Sequence, residues 1–319
     1  MRKEQFSIGQ LTVDNIIGGG VNAGIRRKIY LDPTAGSDGN DGLEITRALK
    51  TLAAARARIT SGKSDAIIMV QGASSLSLAA DPVISETCLS ILGNAPGALQ
   101  GMRSRIKMAS DYGTPMLTLS GNGNLYSNLT IAHGYLATAV AKVGVLASGS
   151  YASFKNVHIQ SPLSVGVTSD TAFRSLEVSG DGCRFERCVV GVNSVGLTGA
   201  NALVQLDCGT NTMFEDCTFI LNSLATAPYF FYVINTPSAP GPTIAQFKRC
   251  TFIAAAVNMG NGALPVAEAF KFTGGDTCAM IFDDACNFVN ITKITASATN
   301  QFVWMPGVET TLKSLVLAT

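Results

Sequence analysis

Two glutamates at equivalent positions of a repeated segment are the residues whose type and spacing come nearest to a catalytic site. Glu186 and Glu215 each follow a phenylalanine of the repeat, and stacking of the repeats would bring their backbones about 5 Å apart. Retaining glycosidases hold two carboxylates at a similar separation of roughly 5–5.5 Å. The same position holds Lys155 in the preceding repeat and Lys248 in the following one. We therefore interpret the four side chains as a charge ladder on an exposed face, in which the lysines offset the repulsion between the acids.

The segment DGNDG (38–42) has the composition of a calcium-binding loop. An EF-hand loop needs oxygen ligands at its first, third and fifth positions and a glutamate at its twelfth. Counted from Asp38, the fifth position is Gly42 and the twelfth is Leu49. We expect these residues to form Asx turns before a helix instead. Because the chain also contains no C-x-x-C pair, the sequence predicts neither a metal site nor a cofactor.

The chain has two histidines, His133 and His158. His133 directly follows one copy of the repeat, and His158 occupies an outward position in the next copy. Neither belongs to a Ser–His–Asp pattern that the sequence can support, and we expect both to be solvated or to lie in turns. The sequence therefore predicts no catalytic residue.

These residues are positioned by a segment that recurs six times. Each copy has an aromatic residue, then an apolar residue or Cys three places on, then Ile, Val or Phe two places further; the sixth copy carries one extra residue. Successive aromatics are 28, 31, 29, 33 and 35 residues apart, and a period of about 20–50 residues is typical of a solenoid. The aromatics, which we expect to stack as one internal ladder, are Tyr126, Phe154, Phe185, Phe214, Phe247 and Phe282.

The spacing inside each copy predicts strands rather than a helix. Apolar residues at the first, fourth and sixth positions make no helical stripe, but they fit two short strands separated by a kink at the third position. Asn and Asp tolerate the left-handed backbone that such a kink needs, whereas at Arg we expect a different turn. An alternating stretch and a Gly/Asn/Ser turn upstream supply a third strand. The kink residues are Asn128, Asn156, Arg187, Asp216, Arg249 and Asp284.

Three short strands per coil predict an all-β fold, a right-handed parallel β-helix. Stacked coils place equivalent residues about 4.8 Å apart, which gives two further internal files beside the aromatics. Because cysteines occupy one file, we expect them to be reduced, small buried residues, as in a protein assembled in a cytoplasm. A content of 47% hydrophobic and 14% charged residues agrees with such a core. The second file holds Val157, Cys188, Cys217 and Cys250, and the third holds Ile159, Val190, Phe219 and Phe252.

The N-terminal part resembles that of a known family. IYLDPTAGSDGNDG (29–42) followed by ALKTLAAARARI (48–59) is similar to the opening segment of pectin-lyase-like β-helix proteins, which are common in phage tailspikes and other virion proteins. CLSILGNAPG (88–97) followed by RIKMAS (105–110) resembles the first full coil of that family. The resemblance spans about residues 29–290 and implies a loop and a helix that cap the end of the solenoid. It implies no single activity, since the family includes lyases, hydrolases, adhesins and inert structural proteins.

The catalytic motifs of the polygalacturonase branch of this family do not carry over. That branch has NTD, DD, GHG and RIK in chain order, whereas here RIK (105–107) comes first, AHG (132–134) second, and Asp283-Asp284 last. NTD is absent and GHG is degraded. We therefore interpret these matches as chance and assign no catalytic role to them.

The chain divides into an N-terminal arm (1–28), a cap loop and helix (29–64), and the β-helix with a C-terminal closing segment (65–319). A proline-rich stretch at 236–243 should protrude as a loop. The segment 301–319 breaks the repeat and should cover the last coil or pair with a neighbouring subunit. The cap helix should begin at an N-cap and bury one side; the residues are Thr46 for the cap and Leu49, Leu52 and Ile59 for the buried side.

Charge and hydropathy argue against several classes of partner. A net charge of +1 offers little attraction for nucleic acid or an anionic membrane, and no apolar run approaches the roughly 18 residues of a membrane span. The first ten residues, MRKEQFSIGQ, are polar and lack the apolar core of a signal peptide. We therefore expect no nucleic-acid partner, no membrane partner and no export signal.

Together these features predict a non-enzymatic structural protein of a phage virion, specifically a capsid decoration (cement) protein assembled in the host cytoplasm. We expect its N-terminal arm to grip the major capsid protein or another virion protein, and the resemblance to phage β-helix proteins implies a homotrimer. The residues expected in capsid or subunit contacts are Arg26, Arg27, Lys28, Tyr229, Phe230, Phe231, Tyr232 and Trp304.

Two alternative functions stay open. The first is a tailspike-type protein that binds or depolymerises a surface glycan; the short chain, the few aromatics outside the ladder and the lack of a distinct C-terminal receptor-binding domain stand against it. The second is a secreted pectate-lyase-like enzyme, which conflicts with our expectation that the chain carries no export signal.

Overall fold

The computed structural model is an all-β parallel solenoid, as the sequence predicts. The residues that it describes form 25 strands, one α-helix and one 3-10 turn, arranged in three parallel sheets that we call A, B and C. No helix among them is long and apolar enough to cross a membrane. The described residues are 24–70, 72, 74–78, 82–94, 104–108, 115–133, 143–161, 172–197, 202–207, 210–223, 228–234, 243–255, 269–273, 278–291 and 301–304.

Sheet A is the longest, with ten strands, and it contains the strand that carries the ladder aromatic of every repeat. Its parallel register places Phe185 beside Phe214 and Phe214 beside Phe247. In spatial order its strands, numbered along the chain, are β1 (Lys28–Leu31), β2 (Ala66–Met69), β5 (Ser90–Gly93), β8 (Leu125–Ser127), β11 (Ser153–Lys155), β14 (Arg184–Glu186), β17 (Asn211–Glu215), β20 (Thr243–Lys248), β23 (Cys278–Phe282) and β25 (Gln301–Trp304).

Sheet B follows sheet A across the kink and has eight strands. Its register brings Ile159, Val190 and Phe219 into line, which is the third internal file. The strands are β3 (Leu76–Leu78), β6 (Ser104–Met108), β9 (Leu129–Ala132), β12 (His158–Gln160), β15 (Val189–Leu197), β18 (Thr218–Ser223), β21 (Thr251–Ala255) and β24 (Asn287–Val289).

Sheet C closes each coil and has seven strands. Leu176, Val204 and Phe231 are in register on its inner face, where all three are buried. The strands are β4 (Val83–Ile84), β7 (Leu117–Leu119), β10 (Val143–Ala147), β13 (Arg174–Val178), β16 (Ala202–Leu206), β19 (Tyr229–Ile234) and β22 (Phe270–Thr273).

One residue with a left-handed backbone joins sheet A to sheet B in five consecutive coils. The φ angle lies between +50° and +56° at all five, including the two arginines. The expectation of a different turn at Arg is therefore wrong. Coil-to-coil hydrogen bonds fix the backbone there, since the N–H of Arg187 donates to the carbonyl of Glu215 regardless of the side chain. The five residues are Asn128, Asn156, Arg187, Asp216 and Arg249.

The sixth repeat turns differently because of its extra residue. Residues 283–286 form a wider turn between β23 and β24, and Asp284 does not have the left-handed backbone that we predicted for this position. The carboxylate of Asp283 accepts the backbone N–H of Arg249 at 2.9 and 3.0 Å. The Asp283 side chain thus takes the place of the backbone carbonyl that accepts the N–H of the kink residue in the preceding coils.

The interior consists of the predicted files of side chains. Ring centroids of successive ladder aromatics are 4.5–5.2 Å apart, and the rings are nearly parallel. The third file ends in Phe219, Phe252 and Phe288, with centroid separations of 5.0 and 4.7 Å. The cysteines of the second file are free and buried. Aromatic stacking and the exclusion of water from this column stabilise each coil against the next.

The cap contains helix α1 (Leu52–Arg56), which is shorter than the sequence predicts. Its N-cap is Thr51, whose hydroxyl oxygen accepts the N–H of Ala54 at 3.2 Å. The prediction of Thr46 as the N-cap is wrong, because Thr46 lies in the 3-10 turn Ile45–Arg47. Leu49 and Leu52 are buried and Ile59 packs against the core, as predicted, but only Leu52 lies in the helix.

Asp38 explains why the helix begins at Thr51. Its carboxylate accepts the backbone N–H groups of Lys50 and Thr51, both at 2.9 Å, and the Thr51 hydroxyl at 2.9 Å. These bonds hold the pKa of Asp38 below its ordinary value although partial burial opposes the shift. The acidic loop therefore organises the cap, as predicted for Asx-type bonding.

The first residues of the closing segment extend sheet A. Strand β25 pairs in parallel with β23, so the chain adds a tenth strand before residue 305. Segments 1–23 and 305–319 and most of the proline-rich stretch lie outside the described residues. The predictions of a gripping arm and a protruding loop thus stay predictions.

Candidate functional site

The two glutamates of the charge ladder are adjacent, as predicted. Glu186 and Glu215 are direct register partners on β14 and β17. Lys155 Nζ lies 3.3 Å from Glu186 Oε1, and Arg187 Nη2 lies 3.0 Å from the same oxygen. Lys248 is in register with Glu215, but the cations that pair with Glu215 are arginines, which the sequence analysis did not anticipate.

Glu215 is held by two guanidinium groups. Its carboxylate receives Arg184 Nη2 at 2.5 Å and Arg249 Nη2 at 2.9 Å, and Arg249 also bonds Asp216 Oδ1 at 2.6 Å. Hydrogen bonds from Arg249 and Arg184 lower the pKa of Glu215, and the Arg249 hydrogen bond lowers the pKa of Asp216. A carboxylate stabilised as an anion in this way is a poor general acid, which supports a structural role for the ladder.

A second polar cluster, which the sequence analysis missed, lies on the outer face of sheet C. Four consecutive strands, β13, β16, β19 and β22, carry it in register: Glu177 pairs with Gln205, Gln205 with Tyr232, and Tyr232 with Lys271. Side chains from neighbouring positions complete it. The sheet C cluster consists of Arg174, Glu177, Gln205, Asp207, Tyr229, Tyr232 and Lys271.

Arg174 is the buried member of the sheet C cluster, with 8% of the residue exposed. Its Nε donates to Gln205 Oε1, and its Nη1 donates to the carbonyl of Phe173 at 2.9 Å. Gln205 Nε2 in turn donates to Asp207 Oδ1 at 2.8 Å. The side-chain amide of Gln205 therefore links the buried Arg174 cation to the Asp207 carboxylate on the next coil. Its oxygen accepts one hydrogen bond and its nitrogen donates another.

Cations hold the two tyrosines against the sheet. The guanidinium of Arg174 lies 5.2 Å from the ring centroid of Tyr232. Lys271 Nζ lies 5.2 Å from the centroid of Tyr229 and 5.4 Å from that of Tyr232. These distances fit cation–π contacts, which fix ring orientation. The result is a half-buried aromatic surface bordered by positive charge.

Burial perturbs both carboxyl groups of the cluster. Burial, followed by the charge of Asp207, raises the pKa of Glu177 although Arg174 opposes it. Burial also raises the pKa of Asp207, against the hydrogen bond from Gln205. No described residue hydrogen-bonds the Glu177 carboxyl. Acids with raised pKa values are candidates for proton donors or ligand contacts.

A signal for these two acids exists in the sequence. Glu177 lies in LEVSGDG (176–182) and Asp207 in LVQLDCGTN (203–211), both of which alternate in the manner of strands. An acid at the outward position of one such stretch and another acid at the end of the next predicts a shared face once the coils are stacked.

Two of the predicted contact residues are in the core. Phe230 and Phe231 are fully buried, and the ring of Phe231 stacks on Phe270 at 5.4 Å. Their prediction as capsid or subunit contacts is therefore wrong. Both backbone N–H groups donate to the carbonyl of Ala269, and this local irregularity turns both side chains inward. Tyr229 and Tyr232, which are half-buried on the outer face, stay contact predictions.

The basic residues at the end of the arm have partners within the chain. Arg26 donates to both oxygens of Asp65 at 2.9 and 2.8 Å, and Arg27 Nη2 lies 3.1 Å from the same carboxylate. Asp65 is 1% exposed, whereas the two arginine side chains are 48% and 36% exposed. These pairs fix the chain to the first coil. A further contact of Arg26, Arg27 or Lys28 with another protein stays a prediction, as does one of Trp304 in β25.

The histidines are buried, so the prediction that they are solvated is wrong. His133 is 1% exposed and His158 is 6% exposed. His133 faces the interior, with its ring centroid 5.8 Å from that of Phe173, and His158 Nε2 lies 3.1 Å from the carbonyl oxygen of Gly191. Both are therefore packed into the coil stack. Among the described residues, no group of three or more His, Cys, Asp or Glu side chains is arranged to hold a metal ion.

Comparisons with known proteins show the fold. No protein-family model and no curated protein matches the chain. The pectate lyase Pel9A matches with 11% identity and a TM-score of 0.50 over 88% of this chain and 74% of that one. Pectin methylesterase from carrot gives 11% and 0.44 over 88% and 77%; ORF18 of Geobacillus virus E2 gives 14% and 0.40 over 90% and 63%. The chain is thus similar to a right-handed parallel β-helix, and identities this low establish no activity.

Proposed function

We propose that this protein is a non-enzymatic structural protein of a phage virion, specifically a capsid decoration protein. The observation that carries the proposal is the state of Glu186 and Glu215. These residues have the spacing closest to a catalytic pair, yet arginines and a lysine form ion pairs with both of them. The resemblance of residues 29–59 to virion β-helix proteins supports the virion role.

Rigidity also supports a scaffolding role. The aromatic ladder runs from Tyr126 to Phe282 without interruption, and the outer ion pairs join consecutive coils. A solenoid whose coils each contact only their neighbours forms a stiff spacer. Such a spacer suits a protein that covers or reinforces a shell.

The proposed attachment uses the N-terminal arm. Arg26 and Arg27 pin the chain to Asp65 at the cap end, which fixes the start of the described chain on the first coil. In the proposal, residues 1–23 grip the major capsid protein or another virion protein, and the protein assembles as a homotrimer in the host cytoplasm.

Removal of the arm tests this proposal. Full-length protein and a variant lacking residues 1–23 are mixed with capsids that lack the protein, and bound protein is measured after sedimentation. Residues 24–28 stay in the variant because they bond to the first coil. We expect the full chain to sediment with capsids and the variant to remain free with an unchanged circular dichroism spectrum. Equal binding of both proteins, or no binding of the full chain, would contradict the proposal.

The sheet C cluster favours a second candidate, a tailspike-type protein that binds or cleaves a surface glycan. Tyr229 and Tyr232 offer an aromatic surface of the kind on which sugars stack, and Glu177 carries a raised pKa suited to proton donation. Incubation with host capsule polysaccharide tests it through the appearance of reducing ends or unsaturated products. Products that vanish in Glu177→Gln but persist in Glu186→Gln would establish this candidate in place of the first.

A further inference from the structure

Four cysteines occupy the same turn position on four consecutive coils. The residues that follow them are in register along sheet B, so each cysteine adjoins the corresponding one on the next coil. Parallel neighbours lie about 4.8 Å apart, within the Cα separation of about 4.4–6.8 Å that a disulfide accepts. Each thiol donates to the carbonyl of the ladder aromatic one coil earlier, at 3.4–3.5 Å. This thiol file consists of Cys188, Cys217, Cys250 and Cys286.

The last member of the thiol file differs from the other three. Cys286 is half-buried, whereas the others are fully buried. Its Sγ lies 3.4 Å from the backbone nitrogen of Cys250 and 3.2 Å from Asp283 Oδ1. The wider turn at 283–286 causes this, because its extra residue lets the sulfur lean onto the preceding coil. Cys286 is therefore the most exposed member of the thiol file, and it lies next to Cys250.

We propose that Cys250 and Cys286 form an oxidisable pair, which a peroxide converts into a disulfide that joins two consecutive coils. The Cys286 thiolate attacks one oxygen of hydrogen peroxide, which breaks the O–O bond, forms a sulfenic acid and releases hydroxide. The Cys250 thiolate then attacks the Cys286 sulfur, forms the S–S bond and displaces a second hydroxide. The two thiol protons and two hydroxides give two waters, and the two electrons lost by the cysteines reduce the peroxide.

Exposure sets the order of these steps, because Cys286 is half-buried whereas Cys250 is fully buried. Hydrogen bonds from the thiols of Cys217 and Cys286 lower the pKa of Cys250, which makes it the resolving thiolate. The same contact with Cys250, together with burial and Asp283, raises the pKa of Cys286. Oxidation of Cys286 must therefore wait for loss of its proton, and we expect the reaction to speed up as the pH rises.

The disulfide would lock one end of the described solenoid. It would join residues 36 positions apart and restrict the unfolded chain accordingly. The other half-buried groups near the end, Phe288 and Ile291, pack on the same core, so the cross-link would also hold the last described coil against fraying.

Peptide mapping of the oxidised protein tests the proposal. Full-length protein is treated with hydrogen peroxide, digested with trypsin without reduction and examined by mass spectrometry. We expect peptides 250–271 and 272–293 to appear joined with a loss of two hydrogens, and fragmentation should place the bond at Cys286 rather than Cys278. The urea midpoint of the wild-type protein should rise on oxidation and return after treatment with a reductant.

Three variants make the test decisive. Cys286→Ser should lose the joined peptides and the rise in urea midpoint, and so should Cys286→Val, which preserves packing because Val157 occupies the same file. Cys88→Ser, at an exposed cysteine on an earlier coil, should behave as wild type. The proposal is overturned if folded wild-type protein yields no joined peptides, or if the joined peptides persist in both Cys286 variants.

Discussion

At the scale of single residues, Asp65 connects charge to stability at the cap end. Replacing Asp65 by Ala removes the acceptor for two arginines and for the N–H of Thr60. A hydrogen bond to a charged group contributes about 1.5–3 kcal/mol to stability. The net loss is smaller than the sum of these bonds, because water can hydrogen-bond to the exposed arginines in the variant. We expect a loss of about 3 kcal/mol in the free energy of unfolding, measured by urea denaturation.

The pKa of Asp65 determines how this stabilisation changes with pH. Burial raises the pKa of Asp65, but the hydrogen bonds from Arg26, Thr60 and Arg27 outweigh it and hold the pKa below the ordinary value. The stabilisation is therefore fully present above the unfolded pKa of about 3.9 and is lost as the pH falls through the lower folded pKa. Asp41→Ala is the matched control: its ion pair with Arg47 is exposed and should contribute less than about 1 kcal/mol. Equal effects of the two substitutions would refute a special role of Asp65.

The effect of Glu177 on stability should change with pH in the opposite direction to that of Asp65. Because its folded pKa is raised, the charged form costs stability, and this cost appears as the pH rises through the folded pKa. Glu177→Gln removes the charge, so we expect the variant to unfold at a higher urea concentration than wild type at pH 8 and at about the same concentration at pH 4. Glu186→Gln serves as the control, since loss of its ion pairs should bring no gain at pH 8. A Glu177→Gln variant that is less stable than wild type at pH 8 would contradict the assignment.

The sequence predicts the backbone positions of the polar residues but not which side chains form ion pairs with them. The adjacency of Glu186 and Glu215 follows from the repeat alone. Their arginine partners do not, because a long side chain can reach several positions and its choice depends on three-dimensional neighbours. The burial of His133 was missed for a related reason: it extends the inward alternation of β9 beyond the repeat that was used to count positions.

At the scale of elements, the kink between sheets A and B imposes a left-handed backbone on Arg187. Such a backbone costs an L-residue roughly 1–2 kcal/mol, and less for Asn. Asn156 Nδ2 already donates to Asn128 Oδ1 at 2.7 Å one coil earlier. Arg187→Asn should relieve strain and extend this amide ladder, at the expense of an exposed ion pair with Glu186 that is worth little.

We expect Arg187→Asn to stabilise the protein by about 1 kcal/mol in urea denaturation, by relief of the left-handed strain. Arg187→Ala is the matched comparison, because it loses the same ion pair and keeps the strain, so it should be neutral or destabilising. If Ala and Asn had the same effect at this position, the backbone conformation would not be the cause.

The spacing of aromatics, cysteines and aliphatic residues was sufficient to predict the strands, the three internal files and the position of the kink in five coils. The start of the cap helix was not predictable in this way. Thr46 and Thr51 are both good N-caps, and Asp38, thirteen residues before Thr51, decides between them through a contact that local sequence does not contain. The inward turn of Phe230 and Phe231 likewise depends on Ala269, which lies on the next coil of sheet C.

At the scale of the whole molecule, the outer faces of sheets A and C differ in character. The outer face of sheet A carries ion pairs that neutralise one another, whereas that of sheet C carries half-buried tyrosines, cations and two perturbed acids. A scaffold needs only the first kind of surface, and a glycan-binding protein needs the second. The proposed function and its alternative therefore assign the main role to different parts of one rigid solenoid.

Electron cryo-microscopy of intact virions separates these possibilities most directly. If the protein is a decoration protein, density for the solenoid should cover the capsid shell in copies related by the shell symmetry, with residues 1–23 in contact with the major capsid protein. Density confined to the tail, with the sheet C face turned outward and the shell uncovered, would contradict the proposed function.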